Sequence, residues 1–226
     1  MSSSTESAAV TAAENEVDTN AQASREAARL GRAYHARGNV NLIVDSCADF
    51  APEVARALGV EVIPFPYVMS DGEHADDLWE TMSAHDFYER MRAGEHVTTS
   101  AVTPGHYLEV FERAAAEGTP TVYLAFTRGL SSSVDAARQA ADMVREAHPD
   151  FQIYVVDNVC PSAAAELLAI EAVRQVANGL TAAELVAWAE EARYYVHGYF
   201  TLDSFDALAR GGHGGRQARH QARALL

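Results

Sequence analysis

Hydroxyl-bearing side chains cluster in two short stretches of the sequence, TTSAVTPG from Thr98 and TRGLSSS from Thr127. Each stretch directly precedes a segment with helical periodicity. The amino end of a helix offers unpaired N–H groups and a partial positive charge, so hydroxyls placed there can hold a small anion without a cationic side chain. The chemistry that this pattern predicts is anion binding at Thr99, Ser100, Ser131 and Ser132.

The same hydroxyls also have a structural interpretation, which is helix capping. Ser132 with Asp135 fits a variant capping box, and Thr103 followed by Pro104 fits a cap with proline at the first helical position. For the second stretch alone, both interpretations stay open. Gly129 favours a ligand there, because a glycine lets the backbone approach a bound group closely.

Acidic residues follow two predicted strands, in the loops DSCAD and DNVCPS. Asp45 and Ser46 in the first loop are further candidates for contact with a ligand. A phosphatase of the haloacid type would need a second acid two residues after Asp45, where Cys47 stands. The sequence also lacks HExxH spacing and the lysine of a phosphate-binding P-loop. It therefore predicts an anion site with no cofactor, no metal and no group for breaking bonds.

Alternating apolar strands and helices must position these loops. The predicted strands VNLIVDS, VEVIPFPYVM, TVYLAFT and FQIYVVD are separated by helical segments such as PEVARALG and VDAARQAADMVREA. This alternation is typical of an α/β fold with a parallel sheet and right-handed crossovers. In such sheets ligands bind at the carboxyl ends of the strands, where the polar loops lie.

Composition divides the chain into three parts. Residues 1–38 are rich in Ser, Thr, Ala and Glu, with weak helical periodicity around Ala23–Tyr34, and we expect a disordered leader that ends at most in a short helix. Residues 39–160 carry the predicted N-terminal α/β lobe. Residues 161–226 carry two helices, a strand VHGYFTL, a short helix SFDALAR and a basic Gly/Arg/His tail, so we expect a second, smaller, truncated α/β lobe.

The charge of the chain limits the kinds of partner that we expect, and its cysteine content limits the expected number of disulfides. The formal charge of -15 repels nucleic acid and anionic membrane surfaces, so neither is an expected partner. Two cysteines are too few for a disulfide framework. No signal peptide and no apolar run of membrane-spanning length is evident, and we predict a cytoplasmic protein.

The chain resembles the DegV family of fatty-acid-binding proteins in six segments that recur in a fixed order. These are VDSCADF, VIPFPYVMSDG, SAHDFYERM, TTSAVTPGHYLEVFE, FTRGLSSSVDAARQAA and VVDNVCPSAAAELL. The resemblance runs from about Val40 to Gly212. It implies two α/β lobes with a long-chain fatty acid between them, an acyl tunnel lined in part by the helices after Ser162, and a carboxylate held by Thr99, Ser100 and Ser131.

The resemblance also implies a partner. DegV proteins of this kind serve as the lipid-binding subunit of a bacterial fatty acid kinase, whose catalytic subunit phosphorylates the bound acid. The chain is then a carrier and not itself an enzyme.

The sequence departs from the family pattern at three places. The family's T-S-Q-P-S turn reads Thr99 to Thr103 here, without the Gln and the Pro, and Ser132 replaces a Gly of its G-L-S-G loop. The family's G-G-R motif reads Gly211, Gly212, His213 here, so its arginine is absent at that position. Arg210 and Arg216 are nearby in the sequence, and either could face the head group.

Two other function classes remain open. An enzyme acting on a small carboxylated or phosphorylated substrate at the same loops would use Asp45 or Asp157 as its base. An interaction protein or degenerate fragment would instead contact a partner through its basic tail.

Overall fold

The computed structural model describes residues 21–199. The elements run in the order α1 (residues 21–37), β1 (Asn41–Asp45), α2 (Pro52–Leu58), β2 (Glu61–Ile63), β3 (Pro66–Met69), β4 (Gly72–Ala75), α3 (Ala84–Arg92), β5 (Thr98–Thr99), α4 (Pro104–Glu117), β6 (Thr121–Ala125), α5 (Ser133–Ala147), β7 (Ile153–Asp157), α6 (Ala163–Ala177) and α7 (Ala182–Ala192). Over this range, no helix combines the length and the apolar character needed to cross a bilayer.

A four-stranded parallel sheet forms the centre of the fold, in the order β2-β1-β6-β7. Its registers pair Leu42 with Val122 and Val122 with Tyr154. The carboxyl ends of β1, β6 and β7 therefore meet at one edge, where all three polar loops begin. The predicted α/β class with a parallel sheet is confirmed.

A small antiparallel sheet, in the order β4-β3-β5, lies in the segment between β2 and α4. The two loop residues of its hairpin are Ser70 and Asp71, because Gly72, with φ 132°, already pairs with Met69 as the first residue of β4. On its other edge β3 pairs with β5, so that Tyr67 lies opposite Thr99. This pairing brings a hydroxyl stretch next to the proline-containing strand.

The parallel sheet separates two hydrophobic clusters. Alternating residues of β1 divide between them, with Leu42 and Val44 in one cluster and Ile43 in the other. The first cluster includes side chains of α1, α2, α6 and α7, and the second includes side chains of α4 and α5. Burial on both faces explains why the strands read as continuous apolar runs.

The structure differs from the predicted disordered leader over residues 21–37, which form α1. Ala27 and Tyr34 of this helix are buried in the first cluster, and the Tyr34 hydroxyl accepts a 2.8 Å hydrogen bond from the Leu42 N–H. Gly31 lies against the carbonyl groups of Ala57 and Leu58. The residues of α1 that make these contacts are small or widely separated in the sequence, so they give only a weak hydrophobic pattern. Residues 1–20 lie outside the described range.

Helices α6 and α7, assigned from the sequence to a second lobe, pack on the parallel sheet and share its first cluster. Thr181 and Glu184 form a capping box at the start of α7. Residues 196–199 form no strand, and the remainder of the predicted strand, the short helix and the basic tail lie outside the described residues.

Candidate functional site

Both hydroxyl stretches line one pocket of about 550 Å³. The first contributes Thr99 and Ser100, and the second contributes Ser131 and Ser132. The predicted cluster of uncharged donors is therefore present, although its two halves are about 30 residues apart in the sequence.

Strand pairing fixes the first half of this cluster. Thr99 lies on β5 opposite Tyr67, and the Ser100 N–H donates to the Pro66 carbonyl over 3.3 Å. Beyond this turn Thr103 caps α4 as predicted, because its hydroxyl accepts from the His106 N–H at 3.3 Å. The capping role thus belongs to Thr103, which leaves Thr99 and Ser100 on the pocket wall.

A tight turn fixes the second half. The N–H groups of Leu130 and Ser131 both donate to the Thr127 carbonyl over 3.1 Å. Ser132 precedes α5, but its side chain makes no capping hydrogen bond, so the predicted capping box with Asp135 is wrong. The Asp135 carboxylate instead pairs with Arg128 at 3.1 Å.

Two separate groups of hydrogen-bonded side chains lie behind the pocket wall. Ser131 Oγ lies 2.9 Å from Ser133 Oγ. In the second group the Tyr107 hydroxyl lies 3.1 Å from that of Tyr123, which donates to Asp45 Oδ2 over 3.0 Å.

Ser133 also joins the two halves of the cluster. Its side chain accepts from the Val102 N–H at 3.1 Å, and its own N–H donates to Ser131 Oγ at 3.2 Å. Ser133 was not predicted as a component of the site. Its position in the run of three serines was the feature of the sequence that could have indicated it.

Asp45 is buried behind the pocket and does not line it. The Phe126 N–H donates to its Oδ2 at 2.6 Å. Burial raises the pKa of Asp45 to about 7, against the lowering effect of the hydrogen bonds from Phe126 and Tyr123. The predicted role of Asp45 as a direct ligand contact stays a prediction; the observed contacts are internal.

Two other predicted residues, Ser46 and Gly129, also lie away from the pocket wall. Ser46 is buried, and its hydroxyl accepts from the Phe65 N–H at 3.0 Å. Gly129 is exposed, and its N–H donates to Thr127 Oγ1 at 3.2 Å. Arg210 lies outside the described residues, as does the departure at His213.

Five aromatic side chains line another part of the pocket: Phe65, Tyr67, Trp79, Phe87 and Phe126. Edge-to-face pairs join Phe65 to Phe126, with ring centroids 5.8 Å apart, and Phe87 to Tyr67 and Trp79, at 5.6 and 5.5 Å. These aromatic side chains were not predicted, because the apolar lining was expected to include the helices after Ser162. Among the residues described, α6 and α7 contribute nothing to this wall.

Acidic groups border another part of the pocket. Asp76 and Asp77 line it, and neither was predicted. Burial raises the pKa of Asp76, while a hydrogen bond from Ser46 opposes the rise. Asp77 accepts from the Glu80 and Thr81 N–H groups at 3.0 and 3.1 Å, and this holds the loop in which Trp79 has φ 68°.

The thiol of Cys47 also faces this pocket. Its pKa is raised far above the ordinary value, by burial first and then by the charges of Asp45 and Asp76. A thiol held in its neutral form is a poor nucleophile. Both Cys47 and Cys160 are free, in agreement with the expectation of two thiols.

The pocket wall, as far as residues 21–199 define it, contains no Lys, Arg or His. The same residues hold no cluster of three potential metal ligands. Any anion bound here therefore relies on hydroxyls and backbone N–H groups, near the amino end of α5.

Comparisons with known proteins decide the family. The sequence profile of uncharacterised proteins of the DegV family matches residues 39–221. The chain belongs to the DegV family. A DegV domain-containing protein of Clostridium perfringens is 29% identical over 171 residues, which cover 76% of this chain and 59% of that protein.

Two solved DegV-like structures share the fold. A DegV family protein from Thermus thermophilus, described for its fatty acid binding, has a TM-score of 0.67 and 25% identity, covering 80% of this chain and 62% of that one. A protein from Thermotoga maritima, described as revealing a fatty acid binding function, has a TM-score of 0.59 and 28% identity, covering 68% and 54%. This DegV chain thus spans between 54% and 62% of the length of these relatives.

Proposed function

We propose that this DegV chain binds a long-chain fatty acid in the pocket described above. The carboxylate lies against the hydroxyls of Thr99, Ser100 and Ser131, and the acyl chain lies along the aromatic wall. The observation that carries the proposal is the meeting of two hydroxyl stretches in an apolar pocket whose described wall has no cation. Fatty acid binding by the Thermus thermophilus and Thermotoga maritima relatives supports the choice of ligand.

The energetics suit an amphipathic acid. Burying a saturated chain contributes about 0.8 kcal/mol per methylene group, so ~16 carbons supply ample gross affinity. The hydroxyl groups need only orient the head group and satisfy its oxygens, because an unpaired buried carboxylate would be costly. Asp76 and Asp77 repel the carboxylate from their part of the wall, which favours the hydroxyl end for the head group.

Presentation to a fatty acid kinase is the second part of the proposal, and it rests on the family resemblance. Neutral donors neutralise a carboxylate oxygen less than an arginine would. Such an oxygen keeps more of its nucleophilic character for phosphorylation by a partner. The chain itself then acts as a carrier and not as a catalyst.

The enzyme alternative needs a general base at the pocket. Asp45 and Asp157 do not line the described wall, and Asp45 is occupied by internal hydrogen bonds. Asp76 and Asp77 do line it, but both accept backbone N–H groups of their own loop. The observed contacts therefore favour binding over turnover.

Tryptophan emission offers a direct test, because the chain has two tryptophans and only Trp79 lies on the pocket wall. In a Trp188→Phe variant stripped of lipid, titration with hexadecanoic acid should shift the remaining Trp79 emission to saturation. The matched control is Trp79→Phe, which leaves Trp188 away from the pocket and should show no shift. Saturable binding without any change at Trp79 would place the ligand elsewhere and refute the proposed site.

A further inference from the structure

Ser133, the first residue of α5, lies where the two hydroxyl stretches meet. It is 1% exposed, and its Oγ accepts from the N–H of Val102, which is also buried, at 3.1 Å. Among the hydrogen bonds within residues 21–199, this one links the stretch from Thr98 to the stretch from Thr127. Because buried polar groups need a partner, the Val102 N–H depends on the Ser133 oxygen.

The side chain of Ser131 is held by Ser133 through two hydrogen bonds. The Ser133 N–H donates to Ser131 Oγ at 3.2 Å, and Ser131 Oγ donates to Ser133 Oγ at 2.9 Å. The turn closed on the Thr127 carbonyl places the Ser131 backbone. Ser133 therefore determines where the Ser131 oxygen lies on the pocket wall.

The stretch that carries Thr99 is tied on both sides of its turn. The Ser100 N–H donates to the Pro66 carbonyl at 3.3 Å, and two residues later the Val102 N–H donates to Ser133. Val102 and Val134 both belong to the second hydrophobic cluster, so the tie to Ser133 lies in packed surroundings. The position of this turn relative to Ser131 thus depends on one γ-oxygen.

We propose that Ser133 is a positioning residue of the carboxylate site. Its γ-oxygen holds the two stretches at the spacing that lets one head group accept from both Thr99 and Ser131. The inference rests on the proposed function, since it takes the head group to lie between these hydroxyls. Ser133 does not line the pocket and acts on the ligand through Ser131 and Val102.

Binding requires a rotation of hydroxyl protons but no movement of this framework. A carboxylate only accepts hydrogen bonds, so Ser131 turns its proton from Ser133 to the ligand. The Ser133 hydroxyl then donates to Ser131 across the same contact, while its oxygen still accepts from Val102. The spacing of the two stretches is therefore set before the ligand arrives, which lowers the cost of ordering the site.

Replacing Ser133 should lower the preference for an ionised head group over a neutral one. In Ser133→Ala the two stretches lose their shared oxygen, and Ser131 keeps one of its two bonds to residue 133. The ratio of the affinity for dodecanoate to that for 1-dodecanol should fall about tenfold, because hydrogen bonds to a charged group contribute more than those to a neutral one. Trp79 emission at pH 8, in the Trp188→Phe background, reports both affinities.

Two matched variants separate positioning from a general loss of stability. Thr121→Val removes another buried hydroxyl, which donates to the Thr119 carbonyl at 3.0 Å at the amino end of β6, away from the pocket. It should lower the thermal midpoint but keep the wild-type affinity ratio. Ser133→Thr retains the γ-oxygen and should keep most of the preference for the acid.

A further variant covers the case in which Ser133→Ala does not fold. Ser133→Cys keeps a side chain of similar shape but replaces the oxygen with sulfur, which is a weak donor and a weak acceptor, so the affinity ratio should fall here as well. An unchanged ratio in either variant, with a cooperative thermal transition, would overturn the inference and leave the proposed function intact. A folded wild-type protein that binds neither compound would instead refute the proposed function.

Discussion

Thr99 and Ser131 reach one pocket from different elements, β5 and the loop before α5. Each offers a hydroxyl that can donate to a carboxylate, and bonds of this kind to a charged group contribute about 1.5–3 kcal/mol. Their joint presence is what the fatty acid hypothesis requires at the scale of single residues.

Replacing both hydroxyls should weaken binding strongly. Thr99→Ala combined with Ser131→Ala should lower the affinity for hexadecanoic acid by at least about tenfold, because two charge-assisted bonds are lost and the head group keeps its desolvation cost. Thr98→Ala is the control, since Thr98 is an exposed neighbour outside the pocket wall. Equal affinities for all three proteins in a direct titration would show that the hydroxyls do not hold the head group.

Asp45 should make the folding free energy depend on pH. Its pKa is raised from 3.8 to about 7 on folding, so the folded state binds the proton more tightly than the unfolded state does. Stability from this group is therefore lost as pH rises from about 4 to about 7. Asp45→Asn removes the titration, and its stability relative to wild type should improve by roughly 2 kcal/mol between pH 5 and pH 7.5. Denaturant midpoints at both pH values measure this, and a difference independent of pH would contradict it.

Residue types alone revealed the two hydroxyl stretches, because hydroxyls before helices are visible in the sequence. They did not reveal whether the Ser132 side chain caps its helix, since the Asp135 N–H donates to the Ser132 carbonyl oxygen instead. The hydrogen bonds from Tyr107 through Tyr123 to Asp45 were also out of reach, because these three residues meet only after β1, β6 and α4 have packed.

At the scale of elements, α1 shows how a weak pattern can still specify packing. A Cβ added at Gly31 would lie 2.1 Å from the Ala57 carbonyl oxygen, so α1 and α2 are in backbone contact. Few large apolar residues take part, and the periodicity around Ala23–Tyr34 was correspondingly faint. The strands of the parallel sheet, buried on both faces, were by contrast readily predicted.

A substitution at this contact should distinguish a packed helix from a leader. Gly31→Ala should destabilise the fold by about 1–3 kcal/mol, because the added methyl group forces α1 away from α2. Gly105→Ala is the control, since its Cβ would meet only Thr103 Oγ1, at 3.9 Å, and alanine favours a helix. Unfolding in urea reports both, and an unchanged midpoint for Gly31→Ala would contradict the packing described.

The loop before α5 tests the placement of the ligand. Leu130 lines the pocket and is 42% exposed, so a charge there need not disturb the core. Leu130→Glu should weaken fatty acid binding by about tenfold or more. The new carboxylate repels the head group, and the apolar contact of the leucine side chain is lost. Leu167→Glu places the same charge on α6, at a residue 57% exposed and outside the pocket. Similar affinities for the two variants would argue against this pocket.

At the scale of the whole molecule, the distribution of charge and the position of the apolar wall support fatty acid binding. The chain has a formal charge of -15, yet its described pocket wall joins hydroxyls to aromatic rings and confines its acids to Asp76 and Asp77. The sequence predicted the α/β class and drew attention to both hydroxyl stretches. It did not predict the aromatic side chains of this pocket, because their arrangement depends on the pairing of β3 with β5 across about 30 residues of chain.

The most direct test of fatty acid binding is the lipid content of the protein itself. Purified protein would be extracted and its fatty acids quantified by mass spectrometry, before and after incubation with hexadecanoic acid. The account predicts long-chain acid in an amount equimolar with the protein, and much less in the Thr99→Ala, Ser131→Ala double variant. A properly folded wild-type protein that carries no lipid and takes up none when it is offered would contradict it.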